Sequence, residues 1–144
     1  MKIEDIVSEW SNDLQINQAD ISNESSNIPK LHNKYYLYYV NEGMKLKQMK
    51  LELKKFTKIK TEYYRGELGP VELKQYGWDP QPLKILKSDI QQYIDADDEV
   101  IDKTLRVSAQ EYKVNYIEEI IRQINNRGYQ LKTILDFERF RTGA

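Results

Sequence analysis

The sequence predicts an all-α protein built from long amphipathic helices. Three observations carry that prediction. Apolar residues recur at helical spacing in most of the chain, as in Ile3, Ile6, Val7, Trp10 and Leu14. From Lys45 to Arg65 neither Gly nor Pro interrupts a run of good helix formers. Gly and Pro cluster in one place only, Gly66 to Pro82.

In chain order, residues 2–14 form a short helix whose Glu4 and Asp5 complement the dipole at its start. Asp20 is an N-cap candidate for a second helix over about 20–42, in which Pro29 marks a kink or a fresh start. The piece YYLYYV, residues 35–40, has strand propensity, but no turn residues flank it and the helical pattern runs on. Residues 30–66 therefore read as one long rod, with Gly43 a possible bend. The connection after it, GELGPVELKQYGWDPQP, is long for a compact domain, and Val71, Leu73 and Tyr76 could pair briefly as strand. Helix resumes at Leu83, Leu86, Ile90 and Tyr93.

The last long helix starts near Asp95, Asp97, Asp98 and Glu99. It carries Val100, Val107, Val114 and Ile121 on a seven-residue spacing, Ile117 and Ile124 at d-like positions, and a second stripe of Ile101, Leu105, Tyr112, Tyr116 and Ile120. Two stripes on one helix predict burial beyond what a small monomer supplies, hence assembly. Asn126-Arg127-Gly128 reads as a stop with Gly as the C′ cap, before a final helix from Leu131 to Phe140. At 144 residues this is one domain, 1–144. It is organised as N-terminal helices with the basic rod (1–66), the connection (67–85) and C-terminal assembly helices (86–144).

Charge sharpens the reading. A net charge of −1 hides a segregation. Residues 1–29 hold one Lys against six acids, and residues 30–65 hold ten basic against three acidic residues. Residues 66–99 are again acidic, three basic against eight. Lys47, Lys50, Lys54, Lys58 and Arg65 fall on one side of the rod, and Leu46, Met49, Leu53, Phe56, Ile59 and Tyr63 on the other. A row of cations along a rod suits a polyanionic backbone. Tyr63 and Tyr64, beside Lys58, Lys60 and Arg65, are the candidate base-stacking platforms.

Signals for catalysis are poor. The one histidine, His32, has no nucleophile partner, and Gly66 and Gly69 lack the Lys-Ser/Thr of a nucleotide cradle. The acids at 95–99 lack the spacing of a calcium loop and suit a helix start. No enzyme, metal or cofactor is expected. No apolar run approaches the ~20 residues of a membrane span, and the absence of cysteine fits a reducing cytoplasm. No sequence-reading DNA motif is present.

The opening KIEDI, the stretch LKKFTKIKTEYYRG and the ending NNRGYQLKTILDFERFRTGA resemble the UvsY recombination mediator family of T4-like bacteriophages. The sharpest parts are Lys58-x-Lys60-x-x-Tyr63-Tyr64 and Arg127-Gly128-aromatic with Phe137 and Phe140; residues 66–85 are dissimilar. The resemblance implies a non-enzymatic mediator that binds single-stranded DNA and loads a RecA-like recombinase onto strands covered by single-strand-binding protein. It implies a ring-like homo-oligomer, hexamer or heptamer, assembled through the C-terminal helices, in the cytoplasm of the host. The family's basic pair tied to DNA maps onto Lys58 and Lys60, with Lys60 where the family has Arg.

The expected DNA-binding set is then Lys47, Lys50, Lys54, Lys55, Lys58, Lys60, Tyr63, Tyr64 and Arg65. The expected assembly set is Val114, Ile117, Ile121, Ile124, Leu131, Ile134, Leu135, Phe137 and Phe140. The rival readings are an oligomeric helical scaffold whose basic helix docks an acidic partner protein, and a packaging protein for double strands or RNA.

Overall fold

A computed structural model describes residues 1–143, and among them every regular element is a helix. In order these are α1 (Ile3–Asp13), α2 (Ile21–Ser26), α3 (Ile28–Tyr64), α4 (Pro70–Tyr76), α5 (Ile90–Asp95), α6 (Asp98–Asn125) and α7 (Arg127–Thr142). None of them is long and apolar enough to cross a membrane.

Local chemistry explains the boundaries. Asp20 caps α2, its side chain accepting the Asn23 N–H at 3.2 Å. Pro29 is the second residue of α3, where its missing N–H costs nothing, so it begins a helix rather than kinking one. From there α3 runs 37 residues through YYLYYV and Gly43, about 55 Å at 1.5 Å per residue. Gly66 ends it in the left-handed region, φ 73°, with its N–H on Tyr63 O and the Glu67 N–H on Glu62 O.

Three expectations are corrected. Residues 71–76 are helix, not strand: Pro70 opens α4 and the Glu72 carboxylate reaches back to the Gly69 N–H at 3.3 Å. Helix does not resume at Leu83 but at Ile90. Leu83 and Leu86 are exposed, whereas Ile90 and Ile94 are the buried pair, so the apolar face starts later than the leucines suggested. Gly128 is not a left-handed cap. It lies in the first turn of α7, and the chain turns at Asn126, whose N–H bonds back to Arg122 O and Gln123 O.

The chain divides into two compact units that are not contiguous blocks of sequence, because α3 and α6 each contribute to both. One unit contains residues 1–45 and the chain from Gln110 onward; the other is Leu46–Ala109. In the first, Ile6, Tyr35, Ile117, Ile120 and Ile124 form the core, with Trp10, Ile28, Leu31 and Tyr38 against it. Trp10 meets Tyr35 edge to face at 5.4 Å. Two tyrosine hydroxyls of this packed face are satisfied by α1, Tyr35 donating to Asp13 at 2.8 Å and Tyr38 to Glu9 at 2.8 Å. Glu42, also buried, is held by Gln110 Nε2 (3.2 Å) and Lys113 Nζ (3.5 Å). In the second unit Ile90, Ile94 and Val100 form the core with Phe56, Tyr64 and Ile85.

Candidate nucleic-acid interface

The cationic stretch lies within the second unit, on the C-terminal part of α3. Helical periodicity sorts its residues by azimuth. Lys47, Lys50, Lys54, Lys55, Lys58 and Arg65 are all exposed. Beside Gln48, Leu51, Glu52, Lys54, Lys55 and Lys58 lies a shallow depression of about 610 Å³. Leu51 is 56% exposed there, so an apolar patch is set among the lysines. Neither Leu51 nor Gln48 was legible as part of a surface, although Leu51 is four residues after Lys47 and so shares its side of the helix. Glu52, which also borders the depression, accepts a hydrogen bond from Gln48 Nε2 at 3.0 Å.

Lys60 is not in the row. It is 3% exposed, and its Nζ lies 2.9 Å from Asp97 Oδ2 and 3.3 Å from Glu99 Oε1. The same ammonium sits 3.9 Å from the Trp78 ring centroid and 5.3 Å from that of Tyr63. The signal was present in the sequence. At 100° per residue Lys60 is about 140° around the helix from Lys47, between Phe56 and Leu53. Position puts it on the apolar side, where only a paired charge is stable.

The two tyrosines are also committed. Tyr63 donates its hydroxyl to Asp79 O at 2.7 Å, and Tyr64 to Asp97 Oδ2 at 2.6 Å. Burial and the Asp97 carboxylate push the Tyr64 phenol well above its usual range. Asp97 is the node of this network. Burial disfavours its charge, yet hydrogen bonds from Tyr64, Lys60 and the Val100 N–H overcome that and hold the carboxyl below its ordinary value. The Val100 N–H bond, 3.0 Å to Oδ1, is also the N-cap of α6. Asp95, Asp97 and Glu99 are thus engaged in hydrogen bonds within the chain, and no group of His, Asp or Glu among the described residues is arranged to hold a metal. His32 stacks on Tyr36 at 5.8 Å.

The residues expected to assemble subunits are divided. Val114, Ile117, Ile124 and Leu131 are buried within the chain itself. Ile121 and Ile134 are half-buried. Leu135, Phe137 and Phe140 are exposed, the last by 85%. The first stripe of α6 thus includes core of the single chain, while Leu105 and Tyr112 of the second are exposed.

Comparison with solved structures returns crystal structures of the bacteriophage T4 recombination mediator protein UvsY. One is 18% identical over 97% of this chain and 99% of that chain, with a TM-score of 0.84. Another crystal form is 20% identical over 99% and 98%, with a TM-score of 0.82. These likenesses show a shared fold. No curated protein gives a significant match. A family model described as recombination, repair and ssDNA binding protein UvsY matches residues 9–144, and the chain belongs to that family.

Proposed function

We propose that this protein is a recombination mediator that binds single-stranded DNA without sequence specificity and promotes loading of a RecA-like recombinase onto strands covered by single-strand-binding protein. The observation that carries the reading is the row of exposed cations along the end of one continuous helix, Lys47, Lys50, Lys54, Lys55, Lys58 and Arg65. Phosphates spaced along a strand match cations spaced along a rod, and Leu51 offers an apolar contact to sugars or bases. Nothing in the row reads base edges, so discrimination among sequences is absent. The binding is electrostatic and therefore steeply salt-dependent. In this reading the subunits form a ring through the exposed apolar residues of α7, Leu135, Phe137 and Phe140. Several tethered rows raise the avidity of a weak single site by orders of magnitude.

The test couples light scattering with a fluorescence titration against short single-stranded oligonucleotides at two salt concentrations, followed by a recombinase-loading assay on strands pre-coated with single-strand-binding protein. A large species with salt-dependent, sequence-indifferent binding and faster loading supports the reading. A protein silent toward DNA at low salt overturns it.

A further inference from the structure

The connection after α3 carries an aromatic stack that the cationic row does not use. Gly77, left-handed at φ 71°, ends α4, and the Trp78 N–H returns to Leu73 O at 3.0 Å. This turn folds Trp78 back onto Tyr76, ring centroids 4.6 Å apart and planes 19° from parallel. The Lys60 ammonium lies 3.9 Å from the same indole centroid. A ring stacked at that distance fills one face of the indole, so Lys60 occupies the other. The indole is fixed at its edge as well, since Trp78 Nε1–H donates to Glu99 Oε1 at 2.7 Å. The result is an ordered stack of cation, indole and phenol, whose last member, Tyr76, is 37% exposed.

We propose that Tyr76 is a stacking site for an unpaired nucleobase, held in place from behind by Trp78 and Lys60. The inference rests on the single-strand reading above and deepens it. Tyr63 and Tyr64 point their hydroxyls into hydrogen bonds with Asp79 and Asp97, whereas the Tyr76 ring ends a stack instead of lying within one. An aromatic face held rigid costs little entropy when a base settles on it, and every base has a π face, so the contact adds affinity without sequence preference. Exposed cations of the same unit, Lys58 and Arg65 among them, supply the backbone attraction that brings a strand to the surface. Lys60 then serves the strand as a positioning residue. It fixes the indole that fixes Tyr76, and touches no phosphate.

The experiment is a titration of the full-length protein with a dT oligonucleotide and with an abasic oligonucleotide of the same length. Tyr76→Ser should weaken dT binding about five-fold or more, leave abasic binding unchanged and keep the salt slope of the wild type. Tyr76→Phe should restore affinity. Gly77→Val, which strains the left-handed turn, should imitate Tyr76→Ser. Equal dT affinity for Tyr76→Ser and wild type would overturn this inference alone. Failure of the wild-type protein to bind either oligonucleotide would instead remove the single-strand reading and this site with it.

Discussion

The Arg127 guanidinium lies 3.1 Å from the Glu24 carboxylate, joining positions 103 residues apart in the chain. Arg127 is 6% exposed and also donates to Leu14 O and Gln15 O. It ties the α1–α2 loop to the start of α7. Arg127→Met should cost roughly 2–3 kcal/mol, because two carbonyls and a part-buried carboxylate lose their donor together. Urea unfolding with an unchanged m value would measure it, and a cost under about 0.5 kcal/mol would refute the assigned role.

The Lys60 network invites a double-mutant cycle. Lys60→Met alone leaves the buried Asp97 carboxylate short of its cation and should destabilise by about 3 kcal/mol. Pairing it with Asp97→Asn should recover a good part of that loss. Additive costs would mean that the two side chains are not coupled.

Removing an exposed row cation has a different signature. Lys58→Ala should leave the melting temperature within about 1 °C of wild type, since surface changes cost little. It should weaken single-strand binding and reduce the salt slope by about 0.7, one phosphate's worth of counterion release. Lys60→Met should leave that slope intact. An equal slope change for both variants would place Lys60 on the strand and contradict its burial.

Asp13, Glu42 and Asp97 all have carboxyls held below their ordinary values, in each case against burial and by hydrogen bonds to lysines, tyrosines or Gln110. The unfolded chain therefore binds more protons than the folded one in acid. The stabilisation is complete above the ordinary carboxyl values, 3.8 for Asp and 4.5 for Glu, and is lost as pH falls through the lowered ones. Tyr35, Tyr38 and Tyr64 shift upward from 10.0, so their contribution is complete below pH 10 and is lost above it. Melting temperature against pH should show a plateau between about 4.5 and 10 with a fall on both sides. A protein as stable at pH 3 as at pH 6 would contradict the acid limb.

The exposed end of α7 makes a separate claim. Phe137→Ser with Phe140→Ser should shrink the species seen by light scattering while subunit helicity persists, because both rings lie outside the core of the single chain. An unchanged large species would move the assembly face elsewhere.

Much of this was readable in the sequence. The rod from Ile28 to Tyr64 follows from helix formers and the absence of breakers, and Asp20 and Pro29 behave as their chemistry requires. Elsewhere position outweighs residue type. Lys60 has the residue type of the surface lysines, but its azimuth is that of Phe56 and Leu53 and it is buried. Ile117 and Ile124 read as an unpartnered stripe because no sequence pattern shows that Ile6 and Tyr35, some eighty residues and more away, pack against them. Gly128 has the residue type of a cap, but the turn falls at Asn126 and the helix resumes at Arg127, whose side chain reaches across to Leu14 and Gln15. Long-range contacts decided each of these, and local spacing does not encode them.

The discontinuous make-up of the first unit bears on synthesis. Residues 46–109 are one uninterrupted stretch, so their unit can close as soon as they leave the ribosome. The other unit needs both ends of the chain: Ile6 and Tyr35 pack with Ile117 and Ile124, and Leu14 waits for Arg127. Until the last quarter of the protein emerges, the tyrosine-rich face of α3 has α1 but not α6 against it, and chain ends must meet across a long closure. The nascent N-terminal helices therefore pass through an interval of exposed aromatic surface, in which holding chaperones or premature self-association compete with folding.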